Sequence, residues 1–251
     1  MNASAPSPAT VGYLGPVGTF TEQALHTQPD LVAMDLVRFG SIVEVLRAVE
    51  DGTVDYGFAA IENMIEGSVN ATIDTLAFDA ELLIQREIVI NINLNLLVHP
   101  GVTLADIAHV RSYPVAYAQC RQYLADHLAH AAVEATNSTA DAARELAESG
   151  RRDTAAIAPA RAGEVYELET LAADIEDHPE NQTRFVLVGR DGITAPSGHD
   201  KTSILIYQRA DEPGSLAVSY THLTLPTITS GWRSRWWAAD CRGGGGGGGG
   251  G

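Results

Sequence analysis

Between Val11 and about residue 190, short apolar runs alternate with stretches that carry apolar side chains at helical spacing. Val11-Gly12-Tyr13-Leu14 reads as a strand running into the turn Gly15-Pro16-Val17-Gly18, and Thr19 with Glu22 has the capping-box spacing that opens a helix over 20–28. The same grammar recurs in a strand at 36–39, a helix opened by Ser41 and Glu44 that runs to Glu50, and the apolar run Tyr56-Gly57-Phe58-Ala59-Ala60-Ile61. A helix is expected over 70–77, long extended segments over 83–90 and 91–98, and a short helix over 104–109 after Pro100-Gly101. A second βα series has helices near 116–128, 139–148 and 159–165 and a strand at 154–157, and the apolar segment 183–189 closes it as a strand. This cadence predicts an α/β fold with a parallel sheet covered by helices. The break near 91–98 divides it into a first lobe of about 11–91, to which 183–190 returns, and a second lobe of about 92–182. Glycine, proline and polar residues make 191–200 a linker, and Lys201-Thr202-Ser203-Ile204-Leu205-Ile206-Tyr207 opens a strand of a new domain, of which 201–217 is expected to be the truncated start.

Composition changes the picture most at the C-terminus. All three tryptophans, Trp232, Trp236 and Trp237, fall after Val218, and Gly243 to Gly251 is an unbroken glycine run. Residues 218–227 back-translate into a string resembling the transposon-derived adapter used to prepare sequencing libraries, and 232–236 fits the next adapter segment. Segment 218–251 is therefore expected to be non-native and is set aside from fold reasoning; a flexible low-complexity linker is the other reading. Leaving it out removes Arg233, Arg235, Arg242 and Asp240, and the net charge moves from −16 to −18.

Such acidity argues against nucleic acid or an anionic membrane as a partner. The first ten residues carry no basic segment or apolar core, and no apolar run has the length needed to cross a bilayer, so a cytoplasmic protein is expected. Cys120 is the lone cysteine outside the tail, which leaves neither an internal disulfide nor a zinc-type cluster, and no metal is expected. With no histidine beside it, Cys120 reads as an inert buried thiol.

Open α/β sheets place ligands where strands end, and four segments concentrate polar groups there. In the first, the Gly18-Thr19 turn offers backbone N–H groups at a helix start. The second, Ile61-Glu62-Asn63-Met64-Ile65-Glu66-Gly67-Ser68, brings the neutral groups of Asn63 and Ser68, which either hold an anion or simply shape a turn and cap a helix. The third runs from Ser112 to Gln119, both of which are placed to face a cleft. In the fourth, Asn181-Gln182-Thr183-Arg184-Phe185, a hydroxyl and a guanidinium open a strand, and Arg184 suits either a bidentate carboxylate or a structural ion pair.

In this order the segments resemble the prephenate dehydratase family. The hallmarks are Gly-Pro-Val-Gly-Thr-Phe-Thr at 15–21, Ile-Glu-Asn and Glu-Gly-Ser-Val at 61–69, Ser112 and Pro114 followed by Gln119, and Thr183-Arg184-Phe185. The resemblance spans 11–217 and implies a two-lobed, periplasmic-binding-protein-like (type II) α/β catalytic domain with a central cleft, followed by the first strand of an α+β ACT domain. It implies decarboxylation and dehydration of prephenate to phenylpyruvate, a carbon–oxygen lyase reaction in phenylalanine biosynthesis that needs no cofactor. Thr183 would assist departure of the ring hydroxyl, with Asn63, Ser112 and Gln119 shaping the pocket. Gly18, Thr19 and Arg184 would hold carboxylates, and Glu62 and Ser68 would complete the substrate site. A homo-oligomer and phenylalanine as effector of an intact ACT domain are implied as well. Met64 departs from the usual serine and Tyr113 from the frequent histidine, which removes a histidine proton donor at that place. Arogenate dehydratase and a non-catalytic two-lobed binder of small anions are the competing readings.

Overall fold

The computed structural model describes residues 8–192, 198 and 200–203. The expected ACT segment beyond Ser203 and the expected adapter-derived tail lie outside the described residues.

The chain begins with β1 (Thr10–Leu14), α1 (Phe20–His26), α2 (Pro29–Val32), β2 (Asp35–Phe39), α3 (Ile42–Glu50), β3 (Tyr56–Asn63), the two-residue β4 (Gly67–Ser68), α4 (Asn70–Asp74) and β5 (Leu83–Asn91). After a crossover it continues through β6 (Asn95–Val98), β7 (His109–Ser112), α5 (Pro114–Ala118), α6 (Arg121–His127), β8 (Ala132–Ala135), α7 (Thr139–Ser149), β9 (Thr154–Ala158), α8 (Ala160–Val165) and β10 (Glu169–Ala172). It then crosses back to finish as β11 (Gln182–Gly189).

Two sheets result. The first has the order β2-β1-β3-β11-β5, with β4 attached to β3, and the second β10-β6-β9-β7-β8. Neither is purely parallel. In the first, β1 runs parallel to β2 and β3, whereas β11 lies antiparallel to both β3 and β5. In the second, β7 is parallel to β8 and β9, while β6 is antiparallel to β9 and β10. The cause is connectivity: a chain that returns from the other lobe reaches the first sheet from its far end. The fold is a two-lobed α/β architecture.

Most of the helices are too short to hold by themselves and depend on the apolar faces they bury. In the first lobe Val11, Leu25, Leu31, Phe58 and Phe185 form the core, and the rings of Phe58 and Phe185 stack at 5.2 Å. Such a pair adds about 0.5–1.5 kcal/mol beyond its area. In the second lobe Leu96, Val110, Leu124 and Ile157 pack together around β9, all five of whose residues are buried. Phe20 packs against both cores.

Several expectations shift. The helix at 116–128 is two helices broken at Gln119-Cys120, because the Gln119 carbonyl accepts the Asp177 N–H at 2.6 Å and Asp177 Oδ1 takes the Gln122 N–H. The helix at 104–109 shrinks to a 3-10 turn, Leu104–Asp106, since His109 already belongs to β7. Residues 75–79 continue α4 as a π turn.

The two crossovers run side by side. Ile92 N–H donates to the Asn181 carbonyl at 2.8 Å, Ile175 N–H to the Leu94 carbonyl at 2.9 Å, and the buried Glu176 carboxylate accepts the Leu94 N–H at 2.7 Å.

Candidate functional site

The antiparallel register of β3 and β11 sets Asn63 opposite Thr183. Asn63 Oδ1 accepts the backbone N–H groups of Ile65 and Glu66, both at 2.9 Å, which closes the turn into β4 and fixes the orientation of the amide. Its Nδ2 therefore faces the other way and donates to Thr183 Oγ1 at 2.8 Å and to Asn181 Oδ1 at 3.1 Å. Asn181 is 1 % exposed, and its Nδ2 reaches Gln119 Oε1 of the second lobe at 3.4 Å. Asn63, Thr183, Asn181 and Gln119 thus form one chain of side-chain contacts that joins the lobes.

The Thr183 hydroxyl accepts from Asn63, and among the described residues its own proton has no acceptor. Thr183 is 7 % exposed, and its hydroxyl keeps one donor capacity beyond the bond it accepts. A groove of about 650 Å³ is lined by Ile65, Val115, Gln119, Arg121, Asp177 and His178, and it meets this chain of contacts at Gln119. Arg121 is exposed there, and among the described residues it makes no ion pair.

Other expected site residues lie elsewhere. Consecutive strand residues point to opposite faces, so Arg184 and Glu62 project away from Thr183 and Asn63. They pair with each other at 3.3 Å, Arg184 also meets Glu87 at 3.6 Å, and Ser68 stands opposite Glu62 on β4. The Arg184 guanidinium is occupied by two carboxylates of its own chain, so it is not set to hold a ligand's carboxylate. Ser112 is 1 % exposed and donates to the Ile157 carbonyl at 3.2 Å, fastening β7 to β9.

The glycine turn also differs from expectation. The Gly18 N–H is taken at 2.6 Å by Glu22 Oε2, and Thr19 caps α1 by accepting the Glu22 N–H. Glu22 is buried and receives Arg161 of α8 at 3.2 Å, while the Tyr166 hydroxyl donates to the Val17 carbonyl at 3.1 Å. Gly18 has φ +85, and a Cβ there would come within 3.0 Å of Ala162 Cα. The turn is an anion cradle filled by its own chain and locked against the second lobe.

Cys120 fits its expectation as an inert thiol. It is buried, and burial first, then Asp177 and Glu176, pushes it up to about 12. Neither Asn181, although it opens the fourth segment, nor Arg121 was given a site role from the sequence. Asn181 was recoverable, because a residue two places before Thr183 falls on the same face of an extended chain; Arg121 has no such signal, since it depends on the helix break at Gln119.

The sequence profile of the prephenate dehydratase family matches residues 11–193. The chain belongs to that family. It is 42% identical over 232 residues to a prephenate dehydratase of Mycolicibacterium vanbaalenii, covering 87% of this chain and 73% of the relative. It is also 43% identical over 223 residues to one of Mycobacterium leprae, covering 85% and 68%. A solved prephenate dehydratase from Arthrobacter aurescens, in complex with L-Phe, matches with a TM-score of 0.75 and 39% identity over 83% of this chain and 69% of its own. The family reading drawn from the four motifs is borne out, and the chain is an enzyme of this family. Among the described residues no helix is long and apolar enough to cross a membrane.

Proposed function

We propose that this enzyme converts prephenate to phenylpyruvate, acting as a carbon–oxygen lyase. The observation that carries the reading is the Asn63 amide donating to Thr183 Oγ1 at 2.8 Å, which leaves the threonine proton for another acceptor. In the reaction the bond from the ring to its carboxylate breaks, the electron pair moves into the ring, and the hydroxyl on the far side leaves. With one proton taken up, a dianion gives carbon dioxide, water and the phenylpyruvate monoanion. Aromatisation drives the process, so the protein has to orient the substrate and stabilise the departing oxygen. Threonine has no useful pKa near neutrality, and Thr183 acts as an oriented donor to that oxygen.

Gln119 positions the ring from the second lobe. Arg121 supplies the positive charge that Arg184 and the glycine turn commit to their own chain, which answers how an acidic protein receives a dianion. Ser112 supports the pocket wall through β9. Residues 11–190 form the catalytic domain in this reading, 201–217 begin an ACT domain, and 218–251 derive from adapter. The Arthrobacter protein's complex with L-Phe supports phenylalanine as the ligand of an intact ACT domain, and a cytoplasmic homo-oligomer is part of the same proposal.

The test is incubation of the purified chain with prephenate and with arogenate, followed by absorbance of the product. Phenylpyruvate from prephenate is expected. Phenylalanine formed from arogenate at the higher kcat/KM reassigns the substrate, and no product from either refutes the catalytic reading.

A further inference from the structure

We infer that Asn181 is a positioning residue that sets the direction of the Thr183 hydroxyl through Asn63, an inference that rests on the function proposed above. The two protons of the Asn63 Nδ2 group lie in the plane of its amide, about 120° apart, so fixing the acceptor of one fixes the aim of the other. Asn181 Oδ1 takes one at 3.1 Å, and the remaining proton meets Thr183 Oγ1 at 2.8 Å. Because Asn63 Oδ1 is held by two backbone N–H groups, the amide cannot reverse without losing both.

Asn181 is itself fixed from three sides. Its N–H donates to the His178 carbonyl at 3.1 Å, its carbonyl accepts from Ile92 on the neighbouring crossover at 2.8 Å, and its Nδ2 reaches Gln119. A buried carboxamide with backbone and side chain both committed carries little freedom of its own. It stands between a first-lobe pair that handles the leaving oxygen and a second-lobe side chain that faces the groove. Docking of the second lobe through Gln119 is thereby felt at the Thr183 proton without any direct contact between Gln119 and Thr183.

The experiment compares N181L, N181D, N63A and the double variant N63A/N181L by kcat, KM and Tm with prephenate. Leucine keeps the branching at Cγ, with somewhat greater bulk, and removes both polar atoms; aspartate keeps the acceptor that Asn63 requires. N181L is expected to lower kcat by roughly tenfold to a hundredfold with KM within about twofold, as expected for a misaimed group. N181D keeps the Oδ1 that accepts from Asn63 but buries an unpaired carboxylate, so its kcat should lie between those of N181L and wild type and rise toward wild type as lower pH protonates it. In the N63A background, N181L should cost no more than about twofold, because a residue acting through another adds nothing once that other is gone. The inference is overturned if N181D is as slow as N181L at every pH, if N181L costs the same with and without Asn63, or if its loss is confined to KM. A fall in Tm alone, with kcat intact, overturns it as well. A wild-type chain without turnover of prephenate refutes the underlying function instead, so the two failures are told apart.

Discussion

Replacing Thr183 by valine removes one oxygen and adds a methyl of nearly equal size, which isolates the hydroxyl from the packing around it. Two costs follow from the geometry. The donor to the leaving oxygen is lost, and removal of one oriented donor at a developing charge costs about 2.7–4 kcal/mol, or 10²–10³ in kcat. Separately, the Asn63 Nδ2 proton at 2.8 Å loses its acceptor, although Asn63 itself is only half-buried. A fully buried orphaned donor costs about 1–3 kcal/mol of stability; for the half-buried Asn63 about 1 kcal/mol is expected, which for a chain of this size lowers Tm by roughly 2–4 °C. T183S keeps the oxygen and should retain both Tm and kcat within about tenfold, the residual loss coming from a freer χ1. Steady-state kinetics of phenylpyruvate formation and a thermal melt measure the two effects independently. A T183V variant with kcat within about threefold of wild type refutes the donor role outright, and a loss confined to KM shows that Thr183 only binds substrate.

Further outcomes concern charge and the lobe contact. R121M should raise KM for the dianion by about tenfold or more with kcat little changed, as expected for one charge-assisted hydrogen bond; an unchanged KM removes Arg121 from the site. R161M leaves the buried Glu22 carboxylate with the Gly18 N–H but without its guanidinium. Breaking a buried pair costs about 3–5 kcal/mol, and because Arg161 is a quarter exposed the expected loss is about half that, read as a lower midpoint in urea; a midpoint equal to wild type sinks the prediction. Acid should destabilise the protein in a defined window. Arg86 holds Asp30 below the usual carboxylate range, Arg111 does the same to Glu134, and Arg151 lowers Asp153 to about 2. Depressed carboxylates stabilise above their unfolded pKa and lose that contribution as pH falls toward the folded one, so Tm should be flat from pH 7 to about 5 and fall between about 4 and 2. At the alkaline end burial lifts Tyr13 and Cys120 to about 12. The unfolded chain releases those protons first, so stability should decline from about pH 9 upward; a Tm that rises there contradicts the burial of both groups.

How much of this was legible depended on whether a signal is local. The capping boxes at Thr19 and Ser41 were, and both caps form as spaced, with Glu22 N–H and Glu44 N–H donating to the hydroxyls. The strands β1, β3, β9 and β11 carry runs of buried apolar residues and were visible for that reason. The short strands β8 and β10, Ala132–Ala135 and Glu169–Ala172, were not, because each is four residues at a sheet edge with exposed side chains and no alternation. The site divided in the same way. Motif order singled out Asn63, Gln119 and Thr183 from segments far apart, and side-chain contacts through Asn181 link them, yet strand parity sent Arg184 and Glu62 to the opposite face, where they pair with each other. The glycine turn misled for a long-range reason: its occupant is Glu22 of its own helix, held there by Arg161 from a helix about 140 residues away.

The position of β11 in the first sheet has a consequence for how the protein is made. Synthesis runs from the N-terminus, so β3 and β5 leave the ribosome while the strand that belongs between them is still untranslated. Until residues 182–189 emerge, the nascent sheet has a vacant slot with an unpaired edge on each side, and β5 has no partner at all. The whole second lobe must be translated before that slot closes. A chain that stops anywhere inside the second lobe is therefore not a smaller stable protein but an open sheet whose missing strand a neighbouring chain can supply.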